Sequence, residues 1–389
     1  MDARVQKAIQ QTIALRKDPV SVPWKPDEPW RQSHYTWDEE EEAWKPASTT
    51  PNNNSNSSSS SSSRTQSSEV ARIRSIVLYS WNIDFMLPYA ESRMETALSH
   101  LAGLIAQLPP SPSATAVVIF LQECTPSDLG TISRQPWVRS RFHVTDLDAS
   151  GWGNAGYGTT TLVDRALNIQ SCFRVHYSQS KMERDALFVD VALPQPLPQS
   201  TAAEDSSSSS GSKKPPLLRL CNTHLESLVP VPALRPAQMQ LVSTYMKRTA
   251  PEEEVSSAIV AGDFNAIQPE DRTLHDANGL RDAYLELGGA EDSETGYTWG
   301  QQALRALREQ FGCSRMDKVY FCNNDSSSSS SGSGGAGGSG LELQSFERIG
   351  ADVEVEEGKD GQRSGLLALG FEKAWVTDHL GVKAVFNLK

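Results

Sequence analysis

Four short polar clusters in this chain each stand just after an apolar run: Trp81-Asn82-Ile83-Asp84, Leu121-Gln122-Glu123, Gly262-Asp263-Phe264-Asn265 and Thr377-Asp378-His379. A short apolar run bounded by polar residues reads as a buried strand. Strand ends are where a sheet presents its loops, so clusters in this position can meet at one rim of a layered fold. Taken singly, each has a plainer reading. Glu123 could cap a turn, Asp263-Phe264-Asn265 could be an Asx turn, and Asp378-His379 could lie on the surface. Four of them in this order point to a site.

The order of elements supports a layered core. After the run 76–81, Pro88 opens a helical pattern in which Met94, Ala97, Leu98, Leu101, Leu104, Ile105 and Leu108 recur at three- and four-residue steps. Pro109-Pro110 stops it, and 117–121 is the next strand. The domain therefore begins strand–helix–strand, with the helix laid on a sheet face. Further strands are expected over 159–163, 187–192, 217–221, 258–261, 319–322 and 381–387, with a helix near 236–249. Many strands and few helices predict a sheet-on-sheet core flanked by helices, without a solenoid repeat.

Composition sets the domain limits. Serine runs at 57–63, 206–210 and 326–331 add length but no core, and they account for a hydrophobic share of only 38%. Setting them aside leaves one domain of about 250 residues. We place it at 70–389, with Ser/Gly-rich inserts at about 194–216 and 323–340. Both inserts fall between strands, where hairpin-type surface loops tolerate length. Residues 1–69 read as a mostly disordered tail. It carries Trp24, Trp30, Trp37 and Trp44 among prolines and the acids 38–42, a pattern that would also suit a peptide docked on a surface.

A net charge of −12, from 36 Lys+Arg against 48 Asp+Glu, argues against a protein that coats nucleic acid by bulk electrostatics. It leaves room for an enzyme that reaches phosphates through a bound cation. The five cysteines show no CxxC pair and no zinc spacing, so they read as reduced core residues. The longest apolar stretches are far too short to span a bilayer. A soluble nuclear or cytosolic protein, monomeric and without membrane contact, is expected.

With Tyr297-Thr298-Trp299, Arg315-Met316-Asp317, His224-Leu225-Glu226-Ser227 and the stretch from Ser180 to Leu187 added to the four clusters, the chain resembles the endonuclease/exonuclease/phosphatase superfamily from about residue 72 to its end. Within that superfamily it is most similar to the tyrosyl-DNA phosphodiesterase 2 branch. The resemblance implies an α/β fold of four layers, two packed and mostly antiparallel sheets flanked by helices, as in DNase I. It implies Mg²⁺ as cofactor, with Mn²⁺ as a substitute, held by Glu123 with Asp84 and Asp378 beside it. Oxygen ligands of this kind suit a hard cation that keeps several waters.

Asn82 then supports the metal and its waters, Asp263 orients and deprotonates the attacking water, and Asn265 bonds a phosphoryl oxygen. His379 donates to the oxyanion, steered by Asp317, and His224 gives a second phosphate donor. Trp299 and Tyr157 offer faces for a stacked base or tyrosine. The implied substrates are DNA 5′ ends carrying a tyrosyl or protein adduct, or RNA 5′ ends with a protein adduct. An abasic-site endonuclease or a phosphoinositide phosphatase would use the same core. A binding module released from catalysis would have lost one of Asn82, Glu123, Asp263, Asn265 or His379, and all are present.

Overall fold

The computed structural model describes residues 6, 10, 12–47, 73–109, 114–193, 215–247, 255–324, 340–356 and 360–389. The three serine runs lie outside them. Strands are β1 (Pro29–Arg31), β2 (His34–Asp38), β3 (Ala43–Ala47), β4 (Ser75–Asn82), β5 (Thr115–Cys124), β6 (Phe142–Val144), β7 (Gly158–Asp164), β8 (Asn168–His176), β9 (Asp185–Ala192), β10 (Leu217–Thr223), β11 (Val255–Asp263), β12 (Arg281–Asp282), β13 (Asp317–Asn323), β14 (Leu341–Ile349) and β15 (Gly381–Leu388). They form a seven-stranded sheet, β1-β8-β9-β10-β11-β13-β12, and an eight-stranded sheet, β14-β15-β4-β5-β7-β6-β2-β3.

Each sheet is antiparallel except for one central pair, β4–β5 in one and β10–β11 in the other. Parallel neighbours need a crossover. Here each crossover is a helix, Ala90–Ala106 between β4 and β5 and Arg235–Lys247 between β10 and β11. Period-two alternation then assigns side chains to layers. On β4, Ile76 and Leu78 face the other sheet, where Leu218, Leu220 and Ile259 meet them. Val77, Tyr79 and Trp81 face outward onto Met94, Leu98 and Leu101 of the helix. The second sheet repeats the scheme, with Ala258 and Val260 packed on Met239, Val242 and Met246. Helix, sheet, sheet, helix is the four-layer DNase I-like arrangement that the resemblance implied.

Two expectations are corrected. The segment 16–47 is folded. β1 adds to β8 at the edge of one sheet, while β2 adds to β6 and carries β3 at the edge of the other. Large aromatic anchors replace aliphatic alternation here. Trp24 stacks on His176 at 4.0 Å between ring centroids, Trp44 donates to the Ser133 carbonyl at 3.1 Å, and the Arg139 guanidinium lies 4.0 Å over the Trp37 ring. The acids that suggested disorder form the tip of the β2–β3 hairpin. Residues 48–72 are outside the described set.

The second correction concerns the third serine-rich connection. It is no hairpin, because β13 and β14 belong to different sheets. Its ends still meet, through Leu341 N–H donating to the Asn323 amide oxygen at 2.8 Å.

Candidate active site

The two parallel pairs place four strand ends on one rim. Asn82 ends β4, Glu123 stands at the end of β5, His224 follows β10 and Asp263 ends β11. The antiparallel partners bring two more residues. Asp317 opens β13 opposite Asp263, and His379 precedes β15, whose Val382 pairs with Ser80 of β4. Below the rim a polar bridge joins the sheets: Gln122 donates to Asn222 at 2.9 Å and to Ser80 at 3.1 Å.

Backbone geometry at the rim is unusual. Asp84, Glu123 and Asn265 adopt left-handed conformations, with φ of 56°, 56° and 47°. Such residues cost energy and persist where surroundings fix them. At Glu123 the cause is a register shift between β5 and β7, a bulge that re-aims the side chain. Gly262 (φ +149°) permits the closest approach, since a Cβ there would lie 1.8 Å from the Thr223 carbonyl oxygen. That contact sets His224 and Asp263 side by side.

Asp263 is the hub. Its Oδ2 accepts from Asn82 Nδ2 at 2.9 Å and lies 3.2 Å from His224 Nε2, while Oδ1 accepts from Asn265 N–H at 2.8 Å. Burial alone would raise this carboxyl's pKa. The charge of His379, with the hydrogen bonds from His224 and the Asn265 N–H, holds it below the usual carboxylate range instead.

His379 Nδ1 bonds Asp317 Oδ2 at 2.9 Å, leaving Nε2 3.8 Å from Asp263 Oδ2. Burial would lower the imidazole's pKa, but Asp317, Asp263 and Asp378 raise it well above its ordinary value. The side chain is therefore an imidazolium. Ligand atoms of Asp263, Asp317 and His379 lie within 4.8 Å of one another. Within the group, Asp317 Oδ2 and His379 Nδ1 are committed to each other, so the pairing holds a proton on the ring.

His224 is neutral. Burial and then the Arg184 guanidinium lower its pKa. Arg184 Nη1 contacts Nδ1, and a guanidinium can only donate, so Nδ1 accepts and the proton sits on Nε2, aimed at Asp263. Arg184 is held in turn through the His224-Leu225-Glu226-Ser227 run. Glu226 accepts from Ser180 Oγ at 2.7 Å and Lys181 N–H at 3.0 Å, and Ser180 Oγ accepts from Arg184 N–H at 2.9 Å.

Asp84, Glu123 and Asp378 form a separate acidic group. Each commits one oxygen: Asp84 to Met86 N–H at 2.9 Å, Glu123 to Phe85 N–H at 3.1 Å, and Asp378 to Trp299 Nε1 at 2.8 Å. The other three oxygens accept no hydrogen bond among the described residues. Burial, and next the charges of Asp378 and Glu123, push the Asp84 carboxyl well above the usual range. Burial raises Asp378 as well. Buried Asp84 and Glu123 and partly buried Asp378, each with an oxygen that accepts no hydrogen bond, are a donor set that a hard divalent cation fits.

Besides the His379 imidazolium, whose Nε2 lies 3.8 Å from Asp378 Oδ1, the chain supplies the counter-charge of Arg93, 0% exposed. Its five N–H groups go to five carbonyls: Pro88 at 2.9 Å, Ile83 at 2.5 Å, Val376 at 2.7 Å, Asp84 at 2.8 Å and Leu87 at 3.0 Å. It thereby ties the Asp84 loop to the segment entering Thr377-Asp378-His379. Thr377 adds a bond from Oγ1 to the Asn82 carbonyl at 2.9 Å.

The structure thus gathers Asn82, Glu123, Asp84, His224, Asp263, Asn265, Asp317, Asp378 and His379. Half-buried Trp299 stands beside Asp378. Tyr157 departs from expectation. It is 5% exposed and covered by Phe85, stacked at 4.0 Å, so Phe85 is the ring that faces outward. Sequence reading gave no role to Arg93, Arg184, Gln122 or Asn222. Arg184 carried a signal as part of the Ser180–Leu187 stretch and Gln122 as part of Leu121-Gln122-Glu123, while Arg93 and Asn222 carried none.

A model of the Endonuclease/Exonuclease/phosphatase family matches residues 79–379. Among solved structures, the fold is similar to D. rerio TDP2 complexed with single strand DNA product (TM-score 0.53, 18% identity, covering 80% of this chain and 99% of that one). It is also similar to truncated Caenorhabditis elegans TDP2 (TM-score 0.51, 18% identity, covering 80% and 97%) and to selenomethionine TDP2 from the same nematode (TM-score 0.51, 20% identity, covering 83% and 77%). No curated protein matches the chain in sequence.

Proposed function

The chain belongs to the endonuclease/exonuclease/phosphatase family, and on that premise we propose that it is an Mg²⁺-dependent phosphodiesterase hydrolysing 5′-phosphotyrosyl bonds at DNA ends. One observation carries the reading. A buried ionised carboxylate, Asp263, and a buried imidazolium, His379, stand 3.8 Å apart at Nε2 beside three carboxylates with free oxygens. A phosphodiester resists water because its charge repels the nucleophile and its leaving oxygen departs poorly. Asp263 orients the water, its own position fixed by Asn82 and the Asn265 N–H. His379 donates from Nε2 toward the oxygen that gains charge, its ring locked by Asp317. His224 adds a second N–H, and Arg184 sets its tautomer.

Glu123, Asp84 and Asp378 are the residues that would hold Mg²⁺, which when bound offsets phosphoryl charge. A tyrosine phenolate, with pKa about 10, leaves without an acid, and the roles given above assign none of the described carboxyls to that task. The D. rerio relative holds a single-stranded DNA product, which supports a DNA 5′ end as the partner. The test offers 5′-phosphotyrosyl DNA, 3′-phosphotyrosyl DNA and abasic duplex side by side, with Mg²⁺ or EDTA. The first should be cleaved fastest by several orders of magnitude, and only with Mg²⁺. Comparable cleavage of abasic duplex would contradict the substrate assignment.

A further inference from the structure

Two segments leave the site side by side, joined by a hydrogen bond at their start. One runs from Ser227, whose Oγ donates to Asn265 Oδ1 at 3.0 Å. The other runs from Asn265 itself. Each soon presents aliphatic surface: Leu228 and Val229, 38% and 59% exposed, and Ile267, 40% exposed. Neither 227–234 nor 264–269 contains a charged residue.

One buried arginine staples the two together. Arg235, 1% exposed, donates to the Glu226 carbonyl at 2.9 Å, the Leu228 carbonyl at 2.8 Å, Gln268 Oε1 at 2.6 Å and Asp271 Oδ2 at 2.9 Å. Asp271 Oδ2 in turn accepts from Ile267 N–H at 3.1 Å and Gln268 N–H at 2.8 Å. The Leu228 and Ile267 backbones are therefore fixed around a single ion pair, with Leu228 in a left-handed conformation at φ 65°. Exposed apolar residues scattered singly need no explanation, but a pinned group continuous with a catalytic cluster marks a binding surface. Two cations nearby are committed, Arg235 to this staple and Arg184 to His224.

We propose that Leu228, Val229 and Ile267 form the wall against which the departing group of the scissile phosphodiester rests, and that it selects an uncharged aromatic ring by van der Waals contact, without a cation. This deepens the reading above and rests on it. An anionic departing group, such as a nucleotide at an internal linkage, would meet apolar surface with no charge to receive it, so the wall also rejects competitors.

The test compares two thymidine 5′-phosphate esters, para-nitrophenyl and trifluoroethyl, in the full chain and in the double variant Val229→Ser/Ile267→Ser. In the double variant the aryl-to-alkyl ratio of kcat/KM should fall about tenfold or more, mainly through KM, since small apolar contacts discriminate by that factor. Ile267→Leu should keep the ratio. As a second readout, phenylphosphonate should inhibit the unmodified protein at least about tenfold more tightly than methylphosphonate. An unchanged ratio in a folded double variant, or equal inhibition by the two phosphonates, overturns the wall. Turnover of neither ester by the unmodified protein overturns the functional reading on which the wall rests.

Discussion

Replacing Arg93 with lysine keeps the positive charge near the acidic group and removes most of the geometry. Arginine offers five N–H donors and lysine three. All five of Arg93's are used on carbonyls in a fully buried setting. At least two of those carbonyls must then lose their partner. A buried acceptor left unsatisfied costs about 1–3 kcal/mol, so Arg93→Lys should destabilise the fold by about 2–6 kcal/mol. That is a large part of the roughly 5–15 kcal/mol typical of a domain. The carbonyls of Asp84 and Val376 lie in the two loops that carry Asp84 and Asp378, so kcat at saturating Mg²⁺ should fall as well. Urea unfolding followed by tryptophan fluorescence reads the first quantity, and steady-state turnover reads the second. A variant within about 0.5 kcal/mol of the parent, the range of an ordinary surface change, and with unchanged kcat would refute the claim that Arg93 positions the two loops.

Glu123→Gln and Asp263→Asn should each lower kcat by on the order of 10²–10⁴-fold, yet only the first should recover at high Mg²⁺; equal recovery would contradict their separate roles. His379 has a raised folded-state pKa, so its pairing with Asp317 stabilises fully below the ordinary value and fades as pH rises through the raised one. Asp317→Asn should therefore shift the alkaline limb of the kcat profile to lower pH, and an unmoved limb would count against the pairing. Deleting residues 1–47 should lower the melting temperature markedly, because β1–β3 cover the edges of β8 and β6; an unaltered melting curve would show the segment to be dispensable. Replacing 198–213 and 324–339 with short turns should leave kcat unchanged, since the Leu193 N–H to Pro216 carbonyl bond of 2.9 Å and the Leu341–Asn323 bonds already close both connections.

What was legible in the sequence follows from where the apolar pattern is unbroken. β4, β5, β10 and β11 are buried on both faces and read as continuous apolar runs, so the core and the four strand-end clusters were visible. β14 is an edge strand buried only at its two ends, Leu341 and Ile349, and β1–β3 rest on tryptophans set among acids and prolines. Neither gives a run to read. At the site, carboxylates, amides and histidines declared themselves by motif. Arg93 did not, because it bonds only backbone carbonyls, and no side-chain pattern in the sequence marks a backbone acceptor. Tyr157 was misjudged because its cover, Phe85, comes from a loop far away in the chain.

Hydrolysis of 5′-phosphotyrosyl DNA in ¹⁸O-labelled water tests the central claim most directly. Water oriented by Asp263 must attack phosphorus, so one ¹⁸O should appear in a DNA 5′-phosphate and the released tyrosine should carry none. Label in the tyrosine hydroxyl, or a product ending in a 5′-hydroxyl, would contradict the account.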